Sequence, residues 1–283
     1  MGRFNKHISV WVGSLIIIAC VLLTGGVLVW QFNLFGKESK TTGVNFPTKT
    51  KLPKEAVSSG RIIGSEIIPV SIVKDYEKLK EFLIEKFLIE NKICEGSENC
   101  KNSLEYEPDF YTIREDLNAD GKEEVIVGLG LENTGRIGLL VDVGQGYKIV
   151  DWIDVELWMK SMELRKLPNK DYWSVVVKTG GGAGTGIAVE EMRVYTYINN
   201  RLKLTWRGYI EYNESEPNWR IVENTYYIHF IDIDRDGNID IVQEGTEKEG
   251  KEYDERGNLI PAKETWVENV FKWNEKEKLF TKF

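Results

Sequence analysis

Asp116-Leu117-Asn118-Ala119-Asp120-Gly121-Lys122-Glu123-Glu124 and Asp232-Ile233-Asp234-Arg235-Asp236-Gly237-Asn238-Ile239-Asp240 are two copies of one acidic glycine loop. Oxygen side chains stand at positions 1, 3 and 5 (Asp116, Asn118, Asp120; Asp232, Asp234, Asp236) and again at position 9 (Glu124; Asp240). Glycine at position 6 (Gly121; Gly237) provides the sharp turn, and Lys122 and Asn238 hold position 7, where such loops use a main-chain carbonyl. A donor set made of oxygen suits a hard cation with about six to eight ligands, so calcium is the expected ion at both loops. An EF-hand opens in the same way, but it needs a bidentate glutamate at position 12 and a helix on each side. Here position 12 is Val127 or Gln243, and the flanks Phe110 to Ile113, Val125 to Val127 and Tyr226 to Ile231 are β-formers. The plain alternative is a pair of Asp/Asn/Gly turns that only reverse the chain.

A strand, a D-x-D/N-x-D-G-x-x-D/E loop and a second strand resemble the FG-GAP and VCBS repeats, the blade units of integrin-α-like β-propellers. The residues that carry the likeness are Asp116, Asn118, Asp120, Gly121, Glu124, Asp232, Asp234, Asp236, Gly237 and Asp240, within residues 105–283 only. The resemblance implies structural calcium sites and a role in adhesion or ligand binding at a cell surface, with enzyme appendages as a rarer setting.

Turn spacing extends the repetition beyond the two loops. Gly144-Gln145-Gly146 is a hairpin signal after the first loop, and Asn169-Lys170-Asp171 opens a middle unit with its own turn at Asn199-Asn200. A third unit ends in the hairpin around Asn274, after a charged stretch from Glu247 to Lys263 that reads as a long loop. The middle unit keeps the turn without the acidic set and is assigned no metal. Leu202, Leu204 and Trp206 alternate with Arg201, Lys203, Thr205 and Arg207, which predicts a half-buried antiparallel strand with one apolar and one cationic face. The expected fold is therefore mainly β, with antiparallel propeller-like repeat units, three in number and open unless a cap or a second copy closes them.

Toward the N-terminus the reading changes. Residues 1–7 are a short basic segment, and 8–30 run without a charge for 23 residues. At 1.5 Å per residue that length crosses a hydrocarbon core of about 30 Å, so a transmembrane signal anchor is expected. A cleaved signal and a lipoprotein acylated at Cys20 are the other readings. Residues 31–68 read as a flexible tether, and 69–104 as an amphipathic helix with a cysteine loop. Ile72, Tyr76, Leu79, Leu83 and Phe87 define one helical face, whose plain role is to pack on the β domain. Cys94 and Cys100 are expected to form a disulfide, with free thiols as the alternative, and only His7 and His229 offer imidazole to a zinc site. Extracellular calcium and this bridge favour a C-terminal domain outside the membrane, although Lys37, Lys40 and Lys49 outnumber Arg3 and Lys6.

Several activities find no support. Gly180 to Gly186 lacks the lysine and following helix of a phosphate loop, and the spacing of a dinucleotide fingerprint is missing too. No G-x-S-x-G elbow or H-E-x-x-H is present, and a triad would have to recruit His229 from within a strand. A net charge of -8 argues against nucleic acid. The expected function is a membrane-anchored, single-pass extracytoplasmic binding module for a protein or polysaccharide surface ligand. A cell-envelope hydrolase or enzyme accessory acting on polysaccharide is the competing class.

Overall fold

The computed structural model describes residues 66–90, 107–131, 134–182, 186–216 and 220–283, all within one compact unit. The expected transmembrane anchor, the tether up to residue 65, Cys20 and the Cys94–Cys100 bridge lie outside the described residues. No helix among the described residues is long and apolar enough to cross a membrane.

Two helices come first, α1 (Val70–Val73) and α2 (Tyr76–Glu90). The single helix expected from Ile72 to Phe87 is broken at Lys74 and Asp75, where the Asp75 carboxylate accepts the Lys78 N–H at 3.2 Å and so caps the new start. The predicted stripe holds in its centre: Leu79 and Leu83 are buried, joined by Val73 and Ile84, while the Tyr76 ring is half exposed with its hydroxyl on the Phe110 carbonyl. Burying a leucine is worth about 1.5 to 3 kcal/mol, so this face fastens α2 to the β domain.

Twelve strands follow in the described residues, all antiparallel to their neighbours. The first sheet is β1 (Asp109–Glu115), β2 (Glu124–Leu131), β3 (Thr134–Asp142) and β4 (Tyr147–Asp154), in sequence order. The second sheet holds β5 (Trp158–Lys166), β6 (Trp173–Gly182), β7 (Ile187–Ile198), β8 (Arg201–Glu216), β9 (Arg220–Ile231), β10 (Asp240–Tyr253), β11 (Leu259–Asn274) and β12 (Leu279–Lys282), again in order. Hairpins fall at the forecast turns. Asn199 and Asn200 both take left-handed φ (53° and 60°), as a two-residue turn between twisted strands requires.

Counting four strands per unit gives three units, each with its acidic or asparagine turn between the first and second strand. They are not three separate blades in a closed propeller. Glu211 to Glu216 pairs with Arg220 to Thr225, so β8 and β9 share a ladder and the last two units form one eight-stranded sheet. The charged stretch from Glu247 to Lys263 is likewise a hairpin rather than a loop. It reverses at Asp254 to Asn258, where the Asp254 side chain accepts the N–H groups of Arg256 and Asn258, each at 2.8 Å.

Three cores bind the layers. Helix residues Val73, Leu79 and Leu83 meet Val125, Val127, Leu129, Leu140 and Ile149 on one face of the first sheet. The opposite face, with Ile126, Ile137 and Leu139, packs on Met159, Val175, Val177 and Tyr195. Gly128 permits that approach, since a Cβ there would lie 2.6 Å from the Met159 sulfur. Val176, Val194 and Trp206 then point the other way, to Ile241, Phe271 and Phe280, so the eight-stranded sheet folds back over itself. The alternation expected from Leu202 to Trp206 breaks at Thr205: Tyr195 pairs with Leu204 but Val194 with Trp206, leaving Thr205 as a bulge. Leu202 and Leu204 consequently face the first sheet and Trp206 faces the third core.

Candidate metal centres

The two acidic loops connect β1 to β2 and β9 to β10, and they share one main-chain design. Position 4 is left-handed in both (Ala119 φ 59°, Arg235 φ 62°), as is the glycine at position 6 (Gly121 φ 82°, Gly237 φ 88°). A β-carbon at position 6 would meet that positive φ with strain, which explains the glycine. At position 1 the aspartate accepts the N–H groups of positions 5 and 6, at 3.1 and 2.9 Å from Asp116 and at 3.1 Å each from Asp232. The position 5 aspartate accepts the N–H of position 7, at 2.8 Å for Asp120 and Lys122 and 2.7 Å for Asp236 and Asn238. Position 9 reaches back to position 2: Glu124 accepts the Leu117 N–H at 2.8 Å, and Asp240 accepts that of Ile233 at 3.2 Å.

Position 9 is also the buried end of each loop. Glu124 and Asp240 are both 2% exposed although they carry carboxylates. Burial pushes the Glu124 carboxyl up, with Asp120 and Asp116 adding to the rise, and its bonded partners are the Leu117 N–H and the Asn118 amide, neither of them cationic. Burial raises Asp240 as well, opposed by the Ile233 N–H and Lys272 and reinforced by Asp234 and Asp236. Glu124 has no cationic hydrogen-bond partner and Asp240 has Lys272 nearby only as the partner of Asp234, and a bound cation would supply further charge compensation to each.

Beyond the main chain the loops differ. In the second, carboxylate oxygens of Asp232, Asp234 and Asp240 lie within 4.8 Å of one another, the single such group of acidic, histidine or cysteine side chains among the described residues. Asp236 is outside that group, held by both the N–H and the side-chain amide of Asn238. In the first loop Asn118 replaces a carboxylate, and its amide donates to Asp120 at 3.2 Å and to Glu124 at 3.3 Å. Oxygen donors at positions 1, 3, 5 and 9 are of the type a hard cation takes, and in the second loop Asp232, Asp234 and Asp240 stand close enough together to hold one.

Neighbours invisible in the loop pattern complete each site. Lys272 of β11 forms an ion pair with Asp234 that pulls the aspartate below the ordinary carboxylate range. The Asn169 turn docks on the second loop, donating to the Asn238 side chain at 2.8 Å. Beside the first loop stands Tyr197 of β7, whose phenol is pushed up to about 12 by burial and by Glu124, and whose hydroxyl donates to Asn200 at 3.0 Å. Lys272 and Tyr197 are far from the loops in sequence, and no local signal marks them.

Other singled-out residues take ordinary roles. His229 lies on the solvent face of β9, with Nε2 3.1 Å from Glu244 Oε1. The described ends of the glycine segment, Gly182 and Gly186, border a cavity of about 270 Å³ with Ala188, Glu214, Val222 and Tyr253. Arg201 leaves the cationic strand face to bind the buried Asp151 of β4 at 2.8 Å, tying the sheets together. Compared with family models and with curated proteins, the chain matches none.

Proposed function

We propose that this chain is a membrane-anchored extracytoplasmic binding module whose β domain is held by two structural calcium ions. The observation that carries the metal reading is the coincidence of the two loops, in positive φ at positions 4 and 6 and in four matching hydrogen bonds, each loop ending on a position 9 carboxylate that is 2% exposed. Plain chain reversal needs neither the buried carboxylate nor the converging aspartates. Calcium would be held by Asp116, Asn118, Asp120, Lys122 and Glu124, and by Asp232, Asp234, Asp236, Asn238 and Asp240. The ion supplies charge compensation that locks β1 to β2 and β9 to β10. The anchor at residues 8–30 and the likeness to FG-GAP and VCBS repeats support placement at a cell surface, where calcium is plentiful.

A thermal melt in millimolar calcium against EDTA tests the metal reading. Binding confined to the folded state adds about 2.7 kcal/mol per site at roughly 100 times Kd. An unchanged midpoint would sink it. Carbonate extraction of membranes tests the anchor: the chain should stay in the pellet, and release into the supernatant would refute an uncleaved span.

A further inference from the structure

We infer that the free edge of β11 binds an extended basic peptide of another protein, as an added antiparallel strand. β11 runs from Leu259 to Asn274, but on the side away from β10 the strand β12 covers only Phe271 to Asn274. Among the described residues no strand lies on that side from Ile260 to Asn269. The Val270 carbonyl accepts the Phe283 N–H there at 2.8 Å. Main-chain direction alternates along a strand, so the N–H and C=O groups of Glu264, Trp266 and Glu268 point to the same open side. Open edges are commonly blunted by proline, lysine or bulges. The hairpin tip has all three, in Pro261, Lys263 and the register shifts around Gly250. From Glu264 to Asn269 the ladder to β10 is regular and the edge is accessible, with Glu264, Thr265, Trp266 and Glu268 all exposed.

Side chains along this edge select the partner. Trp266 is 60% exposed and stands between Glu264 and Glu268 on one face of the sheet. Glu268 lies directly opposite Glu244 in the ladder, an unfavourable pairing of like charges. His229 Nε2 is 3.1 Å from Glu244 and Lys248 is 3.9 Å from Glu264, but Glu268 has no cationic partner among the described residues. A strand added to β11 sets its own side chains at alternate positions beside Glu264, Trp266 and Glu268. Lysine or arginine beside each glutamate and an apolar residue at the indole complete the match. A second copy fits poorly, because pairing β11 with itself gathers the same carboxylates of two chains, each of net charge -8, on one face.

The inference rests on the reading of the domain as a binding module and names its ligand as a protein, but it does not use the metal loops. The test is fluorescence anisotropy of the dye-labelled peptide Thr-Lys-Thr-Val-Thr-Lys-Thr, titrated with the full-length chain in millimolar calcium and in EDTA. It should bind in both. Exchanging its lysines for glutamate, or N-methylating its lysines and valine, whose amides would face β11, should abolish binding. Glu268→Lys and Trp266→Pro should each weaken it about tenfold, the proline by removing an outward N–H without touching the β10 ladder. Glu268→Lys changes only a surface charge and keeps the test alive should Trp266→Pro fail to fold. Tyr209→Ala, on β8 and 39% exposed, should leave binding unchanged. No binding of the lysine peptide, equal binding of its N-methylated form, or an equal loss with Tyr209→Ala would overturn the inference. A full-length chain that dimerises, with the dimer lost in Trp266→Pro, would overturn it in favour of a second copy. A calcium-dependent melt without peptide binding sinks this inference alone, and peptide binding without any calcium response sinks only the metal reading.

Discussion

The loop at Asp116 and the loop at Asp232 have the same backbone and different electrostatics. Their dihedral angles and amide hydrogen bonds match position by position, because glycine at position 6 and aspartate at positions 1 and 5 dictate the turn locally. The ligand side chains include three carboxylates in the first loop, Asp116, Asp120 and Glu124, and four in the second, Asp232, Asp234, Asp236 and Asp240. The first loop limits repulsion by placing Asn118 at position 3, with its amide bridging two of the carboxylates. The second recruits Lys272 from a distant strand onto the extra carboxylate, Asp234. Subtracting that lysine from four carboxylates leaves the same balance of three negative charges. Geometry is thus encoded within nine residues in both loops, whereas repulsion is relieved locally by Asn118 in the first and by a distant strand through Lys272 in the second.

The largest test of this comparison is removal of either position 1 ligand. Asp116→Ala and Asp232→Ala should each abolish about half of the calcium-induced rise in melting temperature, or roughly 2.7 kcal/mol at saturating ion. A full shift surviving in either variant would break the equivalence of the loops. Next in size is a reversal of sign at position 9. Glu124→Gln and Asp240→Asn remove a buried charge, so each should stabilise the protein in EDTA by about 1 kcal/mol and destabilise it in calcium. Chemical denaturation under both conditions reads the two signs, and one common sign would refute the idea that these carboxylates await a cation. The smallest effect belongs to Lys272→Gln, which should raise calcium affinity at the second loop about threefold, the size of an exposed ion pair, and leave the first loop unchanged. Unaltered or weaker binding there would show that Lys272 is no competitor.

Features encoded in adjacent residues were legible in the sequence, and features made by distant pairing were not. The acidic loops, the Gly144 and Asn199 turns and the Leu79–Leu83 stripe are all readable because glycine, asparagine and periodic leucine act on their own neighbourhood. The β8–β9 ladder is not readable: Tyr209 to Glu216 mixes aromatic and acidic residues, with no clean alternation to mark a strand. For the same reason Glu247 to Lys263 looks like a loop, since much of that hairpin is exposed on both faces and a charged sequence suffices. Thr205 shows how one residue misleads: as a bulge it reverses the faces after Leu204, and only its partner strand reveals that. At the sites, the donors were visible but Lys272, Tyr197 and the docking Asn169 turn were contributed by the fold.

The most direct measurement is the number of calcium ions bound per folded chain, counted by equilibrium dialysis with elemental analysis. Two are expected for the parent, one for Asp116→Ala, one for Asp232→Ala and none for the double variant. No tightly held ion in the parent, or two retained in the double variant, would contradict the assignment of these loops as calcium sites.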